Sequence, residues 1–428
     1  MKRLHSYRFE LIPTGEQRRN MSRFAGACRV VFNEALMLQK RRFEQGDKRL
    51  GYAELCEELT AWRGGAPLPS GRAAPWLADA PVHTQQQKLK DLERAYSNFF
   101  AGRARFPRYK RRGNRSGSAS FRYPDPKQFE LDQANARIKL PKLGWMRYRK
   151  SRAVDGELRN VTVSLSVGKC FVSIQTEREV AEPVHAQAER WIGLDLGARQ
   201  AGALASLSNG MQIATTNAQR RAEQRLKRYQ RAYSRKVKGS RNQRKARSRL
   251  QRQHHKVACI RADHLHKLAH VLTDTFGGIA IEDLKVRQMT SSTTNPRRKN
   301  KAILDQGWAM FRQMLAYKAA HRGGVIEAVP PEHSSTTCIR CGHCEPGNRP
   351  SADVFRCLRC GHEEQADIHA AKEILRRSAG GVRAGHARSA CGGNVSPEQS
   401  GGASEAGTHR SEATALRARL VAVGIPVL

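Results

Sequence analysis

The sequence predicts a multidomain α/β protein. Three observations carry this. The chain has 428 residues, more than one small domain needs, and its hydrophobic content of 39% is enough for cores. Its pattern changes twice, near residues 104 and 189. The second half alternates short apolar runs with helical stretches, in the order β-β-β-α-β-α-β-α.

The elements follow in order. Residues 1–14 read as a short strand ending at Pro13. Thr14 is placed as a helix N-cap, with Gln17 completing a capping box. Met21, Phe24, Ala25, Cys28, Val31, Leu36 and Leu38 then recur at helical spacing. Helical patterns continue to about Phe100, broken by "GGAPLPSGRAAP". The stretch "RFPRYKRRGNRSGSASFRY" is basic, glycine-rich and aromatic, and "IKLPKLGWMRYRKSR" and "VTVSLSVGKCFVSIQTE" read as strands. From Trp191, "RWIGLDLG", "AGALASL" and "MQIAT" form a three-stranded meander with the turn "SNG". A long helical region covers about 218–276. "GGIAIEDL" and "GVIEAVPP" are further strands, joined by the helix "AILDQGWAMFRQMLAYKAAHRG", and "ADIHAAKEIL" is the last helix. This order resembles the ribonuclease H-like fold. After Arg377 the composition falls into Gly, Ser, Ala and His, which predicts a disordered tail.

The formal net charge is +39. A charge of that size favours a polyanionic partner, and nucleic acid leads. Basic residues occur in nearly every segment rather than in one amphipathic helix, which argues against a membrane-surface protein. No apolar run reaches membrane-span length, and the N-terminus has no apolar signal-peptide core, so a cytoplasmic protein is expected. In residues 219–256 a single acid, Glu223, stands among basic residues. Such a run is expected to contact nucleic-acid backbone. Phe106, Tyr109, Phe121 and Tyr123 interleave with Arg and Lys and suit base stacking and core packing equally. His254, His255, His264 and His266 show no ligand spacing.

Two knuckles, Cys338-Ile-Arg-Cys341 and Cys357-Leu-Arg-Cys360, each followed by Gly, have the form of a zinc ribbon. Four thiolates suit one tetrahedral structural Zn²⁺ and leave no open position for water. His343, Cys344 and His362 are nearby spare ligand types and are not taken as ligands.

Asp195 ends the strand "IGLDLG" and Glu282 ends "GGIAIEDL". A carboxylate at the end of an apolar strand is costly without a cation. In a ribonuclease H-like sheet these two strands are central neighbours. Asp367 shares a helical face with Ala371 and Ile374, and so faces that sheet. Glu363 and Glu364 precede the apolar stripe and read as solvated acids complementing a helix dipole. Three carboxylates converging at one sheet edge would hold two Mg²⁺ ions, the apparatus of phosphodiester hydrolysis.

With these motifs in order, the chain resembles TnpB of the OrfB family, RNA-guided nucleases of bacterial insertion sequences related to type V CRISPR effectors. "PTGEQRRNMSRFAGACRVVFNEAL" and "FPRYKRR" are similar to the family's opening and its basic aromatic stretch. "LPKLGWMRYRKSR" is similar to its β-domain, and "GLDLG", "AIEDL", "SSTTCIRCG…FRCLRCG" and "ADIHAAKEIL" to its RuvC and zinc motifs. The resemblance implies a RuvC (RNase H-like) triad of Asp195, Glu282 and Asp367 binding magnesium. It implies a zinc site of Cys338, Cys341, Cys357 and Cys360, and a wedge β-barrel interrupted by a helical recognition lobe. The implied division is wedge 1–14, recognition lobe 15–103, wedge 104–188, RuvC 189–335, nucleic-acid-binding zinc ribbon 336–362, final RuvC helix 363–378 and disordered tail 379–428. It further implies a guide RNA from the element's end and a double-stranded DNA target beside a short motif; a monomer is expected. At two positions the chain departs: His369 and Glu373 stand where the family usually or often has Asn. The expected function is RNA-guided DNA cleavage. A silenced RNA-guided regulator and a strand-transfer transposase are the alternatives; the intact set of acids weighs against the former and the zinc ribbon before the last helix against the latter.

Overall fold

Between Lys2 and Ile12 the side chains of Tyr7, Phe9 and Leu11 alternate with polar ones, and this stretch is β1. Thr14 then caps α1 (Gly15–Glu44): its hydroxyl accepts from the Gln17 amide, and the Gln17 side chain accepts from the Thr14 amide. The predicted capping box is therefore present. The computed structural model describes residues 1–111, 119–197, 203–214, 216–291, 297–379 and 405–427. It divides into two compact units, Met1–Ala181 and Glu182–Leu428.

In the first unit, α1 is followed by α2 (Tyr52–Arg63) and α3 (Val82–Phe100). Six strands follow: β2 (Ser120–Tyr123), β3 (Glu130–Asp132), β4 (Arg137–Leu140), β5 (Gly144–Tyr148), β6 (Glu157–Ser166) and β7 (Lys169–Glu179). With β1 they make one antiparallel sheet in the order β2-β6-β7-β1-β5-β4-β3. The strand that precedes the helices thus sits mid-sheet, between strands that follow them. Phe24, Leu36, Leu89, Phe121, Val163 and Ile174 lie in its single core.

In the second unit, β8 (Trp191–Asp195), β9 (Ala203–Leu207) and β10 (Gln212–Ala214) form the expected meander. The basic region is a helical hairpin, α4 (Asn217–Ser234) and α5 (Arg241–Thr275), turned at Gly239, whose φ is +84°. Then come β11 (Gly278–Glu282), α6 (Val286–Ser291), α7 (Arg297–Gln306), α8 (Trp308–Arg322) and β12 (Val325–Val329). The sheet order is β10-β9-β8-β11-β12, with β8, β11 and β12 parallel and β9 reversed. That is the strand order of ribonuclease H-like sheets. A small hairpin of β13 (Val354–Arg356) and β14 (Glu363–Gln365) precedes α9 (Ala366–Arg377).

The tail expectation needs correction. Residues 380–404 lie outside the described residues, but Glu405–Ala422 form α10. Its Leu416 and Leu420, with Ile425 beyond it, are buried in the core of the second unit beside α5. The Ala214 amide donates to the Pro426 carbonyl (3.0 Å), so the chain end extends the sheet edge at β10. Composition missed this because three well-spaced apolar residues suffice to dock a helix that has no strong pattern of its own.

Candidate active site and zinc ribbon

The two central strands alternate faces. Ile192, Leu194, Ile279 and Ile281 pack with Leu265, Leu272, Phe311 and Leu315 of α5 and α8. Gly193 and Ala280, partners across β8 and β11, face the other way, towards α9. A Cβ at Gly193 would overlap the Ala371 carbonyl oxygen and approach Leu375 Cβ to 2.9 Å. Glycine here lets α9 lie directly on the sheet. Two residues on, by the period of two, Asp195 and Glu282 project from the same face as Gly193 and Ala280.

Asp367 lies in the first turn of α9, where the side chain of Gln365 caps the helix by accepting from the Ile368 amide (2.7 Å). The fold thus brings Asp195, Glu282 and Asp367 together. Burial and the neighbouring Glu282 and Asp367 carboxylates push the Asp195 carboxyl up to about 8, with Arg349 and the Leu196 amide opposing. Burial also raises Glu282, against the Ser334 hydroxyl, Arg377 and Arg349. Ser334 Oγ donates to Glu282 Oε1 (2.5 Å). Asp283 points elsewhere, its Oδ1 held by Arg312 Nη1 at 2.6 Å.

Arg349 was not foreseen. Its Nη2 donates to Asp367 Oδ1 (2.9 Å) and to the Ala352 carbonyl (3.0 Å). It brings a cation from the cysteine-rich segment to the acids. In the sequence it is one arginine among many in a loop, and no local pattern singles it out. Beside Glu282 an open groove is lined by Leu196, Lys285, Trp308 and Arg312.

The four predicted cysteines converge, their sulfurs within 4.8 Å of one another. Cys338 Sγ lies 3.6 Å from Cys360 Sγ, and Cys341 Sγ lies 3.5 Å from Cys357 Sγ. These are close to the edges of a tetrahedron with zinc–sulfur bonds of about 2.3 Å. The knuckles are duplicates: the Cys338 amide donates to the His343 carbonyl and the Cys357 amide to the His362 carbonyl, both at 2.9 Å. Gly342 and Gly361 supply the positive φ that each turn needs, +72° and +70°. The donor set and its geometry fit one zinc ion. Cys344 stands apart, 3.9 Å from the Thr336 hydroxyl, and His343 pairs with Glu345.

Other expectations divide. Phe121 and Tyr123 are buried in the core, whereas Phe106 (40% exposed) and Tyr109 (42%) lie under the Lys40 ammonium at 5.5 and 4.9 Å. The basic stretch between them and β2 includes residues 112–118, outside the described residues. Arg221, Arg225, Lys227, Arg228, Arg244, Arg247 and Arg252 are exposed on the α4–α5 hairpin. Glu363 is exposed and pairs with Arg356. Glu364 is not the solvated acid expected: its side chain is 18% exposed, sits on β14 rather than in the helix, and binds Lys372. Packing against His362, His369 and Lys372, invisible to local pattern, makes the difference.

The class is then that of ribonuclease H-like proteins with an acidic cluster on the α9 face of the sheet. Three family models match: "Probable transposase" over residues 172–293, "Cas12f1-like, TNB domain" over 308–374 and "Helix-turn-helix domain" over 1–48. Residues 1–48 form one strand and one long helix, so the last label does not describe their shape. "Putative RNA-guided DNA endonuclease InsQ" of Escherichia coli K12 is 46% identical over 403 residues, covering 92% of this chain and 95% of that one. A "Putative RNA-guided DNA endonuclease" of Streptomyces pristinaespiralis is 32% identical over 406 residues, 93% of each. The chain belongs to the OrfB family of insertion-sequence proteins, the TnpB proteins. A cryo-EM structure of a Cas12f1–sgRNA–target DNA complex aligns with 87% of this chain and 98% of its own at 12% identity, with a TM-score of 0.46.

Proposed function

We propose that this protein is an RNA-guided DNA endonuclease of a transposable element, cutting DNA matched to a guide RNA beside a short adjacent motif. The observation that carries the reading is the convergence of Asp195, Glu282 and Asp367 on one face of the central strands; the names of the two relatives support it. The catalytic residues are these three. When bound, two Mg²⁺ ions would supply activation of water and stabilisation of the leaving oxygen. Burial raises both Asp195 and Glu282, and the Glu282 and Asp367 carboxylates add to the rise at Asp195, so a cation at this cluster would relieve buried negative charge. The Ser334 hydroxyl fixes the Glu282 carboxylate, and Arg349 fixes Asp367. The four-cysteine cluster holds a structural zinc, and its segment delivers Arg349. The α4–α5 hairpin contacts nucleic-acid backbone, and base pairing reads the sequence. The first unit is a wedge barrel with a helical recognition lobe.

The decisive experiment purifies the protein from cells carrying its native locus, sequences the bound RNA, and programs cleavage of a plasmid library with randomised flanks. Asp195→Asn, Glu282→Gln and Asp367→Asn are each expected to lower cleavage at least about a hundredfold while sparing RNA and target binding. Full cleavage by Asp367→Asn removes it from the catalytic set. The family model's name keeps strand transfer in view; strand joining without RNA would establish that activity instead.

A further inference from the structure

A second cluster lies where the zinc ribbon runs into α9. His362 Nε2, Glu364 Oε2 and His369 Nδ1 point at one another, within 4.8 Å. The carboxylate oxygen is 3.8 Å from His362 Nε2 and 3.6 Å from His369 Nδ1. All three atoms are shut off from solvent and have no hydrogen-bond partner. Buried polar atoms are ordinarily paired, so three unpaired ones facing a common point call for an explanation.

The His369 ring supplies it. Its Nε2 lies 2.9 Å from the Thr337 carbonyl oxygen, which only accepts, so Nε2 carries the hydrogen. In the neutral ring Nδ1 then presents a lone pair. The ring is fully buried and stacked on Phe355, centroids 3.5 Å apart. Its lone pair faces a carboxylate oxygen, with the second imidazole on the same oxygen. His369 Nδ1 and the carboxylate oxygen are two acceptors facing each other with His362 Nε2 beside them, and a cation between the three would pair them all. Ligands at about 2.0–2.2 Å in tetrahedral array stand about 3.3–3.6 Å apart, close to the observed spacing. The surroundings match those of a metal site. Lys372 holds the other Glu364 oxygen, and the Thr337 carbonyl fixes the His369 tautomer, as partners behind metal ligands do.

We propose that His362, Glu364 and His369 form a second metal site that takes one Zn²⁺ per chain, separate from the four cysteines. Two imidazoles and a carboxylate are a borderline donor set that suits zinc and leaves a fourth position for water. The ligands come from the second knuckle, β14 and α9, and so bracket Asp367 in sequence. The ion staples the ribbon to the second turn of α9. The proposal goes beyond the nuclease reading and stands if that reading fails.

The test is metal content. Tag-free full-length protein, loaded with excess zinc and gel-filtered, is expected to retain two zinc ions per chain by mass spectrometry of the element. His369→Asn and Glu364→Gln should each retain one, and Asp195→Asn should retain two, which separates this site from the acidic cluster. Cobalt loading gives an independent readout: the cysteine site contributes intense sulfur-to-metal charge transfer, and the second ion adds weaker visible bands that vanish in His369→Asn. One zinc in the unmutated protein overturns the proposal and leaves an imidazolium–carboxylate pair in its place. Two zinc ions retained by His369→Asn combined with Glu364→Gln also overturn it.

Discussion

Gly193 shows how much one missing methyl group decides. Alanine there would drive its Cβ into the Ala371 carbonyl, so α9 must lift from β8 and carry Asp367 with it. Gly193→Ala is expected to cost about 1–3 kcal/mol in denaturant unfolding and to lower cleavage more than a hundredfold, because an ångström of misplacement is enough. Wild-type cleavage rates would show that α9 does not need this contact. His264 makes a different point. In the sequence it shows no ligand spacing, and it is buried in α5 with both ring nitrogens unpartnered. Burial lowers it from 6.5 to about 4, with Asp263 and Lys267 as minor influences. Below pH 6.5 the unfolded chain takes up a proton that the folded chain refuses. Stability from this residue is therefore intact above pH 6.5 and falls towards pH 4, by up to about 3 kcal/mol. Urea unfolding of His264→Leu should show a shallower loss between pH 7 and 4.5 than the parent; equal slopes would refute the assignment.

At the scale of elements, α9 connects sheet, ribbon and site. Glu373, fully buried, is held by Arg376 Nε at 2.6 Å and Arg377 Nε at 2.8 Å. Arg377 also donates to the Glu332 carbonyl (2.5 Å) and to the Thr337 hydroxyl (3.2 Å), gripping the segment that carries Ser334 to Glu282. Glu373→Ala leaves the buried Arg376 without its carboxylate and is expected to cost about 3–5 kcal/mol, read by denaturant titration. Replacing Glu373 and Arg376 together by leucine should cost less, since the more deeply buried pair is removed as a unit and Arg377 keeps its bonds to the Glu332 carbonyl and the Thr337 hydroxyl. The sequence marked Glu373 as a departure from its family; its role as a clamp depends on arginines one helical turn on and on a loop some forty residues upstream.

At the scale of the molecule, the C-terminal helix belongs to the second unit. Leu416, Leu420 and Ile425 are buried beside α5, and Arg419 pairs with Asp274. Each such side chain contributes about 1.5–3 kcal/mol when fully buried. Truncation after residue 404 is expected to lower the thermal midpoint of the full chain by several degrees; an unchanged melt would mean that the helix docks without stabilising. The charge of +39 acts at the same scale, because exposed basic residues on α4 and α5 repel one another until a polyanion is bound.

The sequence by itself determined the strand–helix order of the second unit, the Thr14 capping box, the paired cysteine knuckles and the placing of Asp195, Glu282 and Asp367 on β8, β11 and α9. Each is written in local period, fixed spacing or the cost of a charge at the end of an apolar strand. Tertiary structure alone decided that Glu364 is buried, that Arg349 reaches Asp367, that His362 and His369 share one carboxylate oxygen, and that the last helix docks. These depend on which distant residues the fold brings within a few ångströms, and no local pattern carries that information.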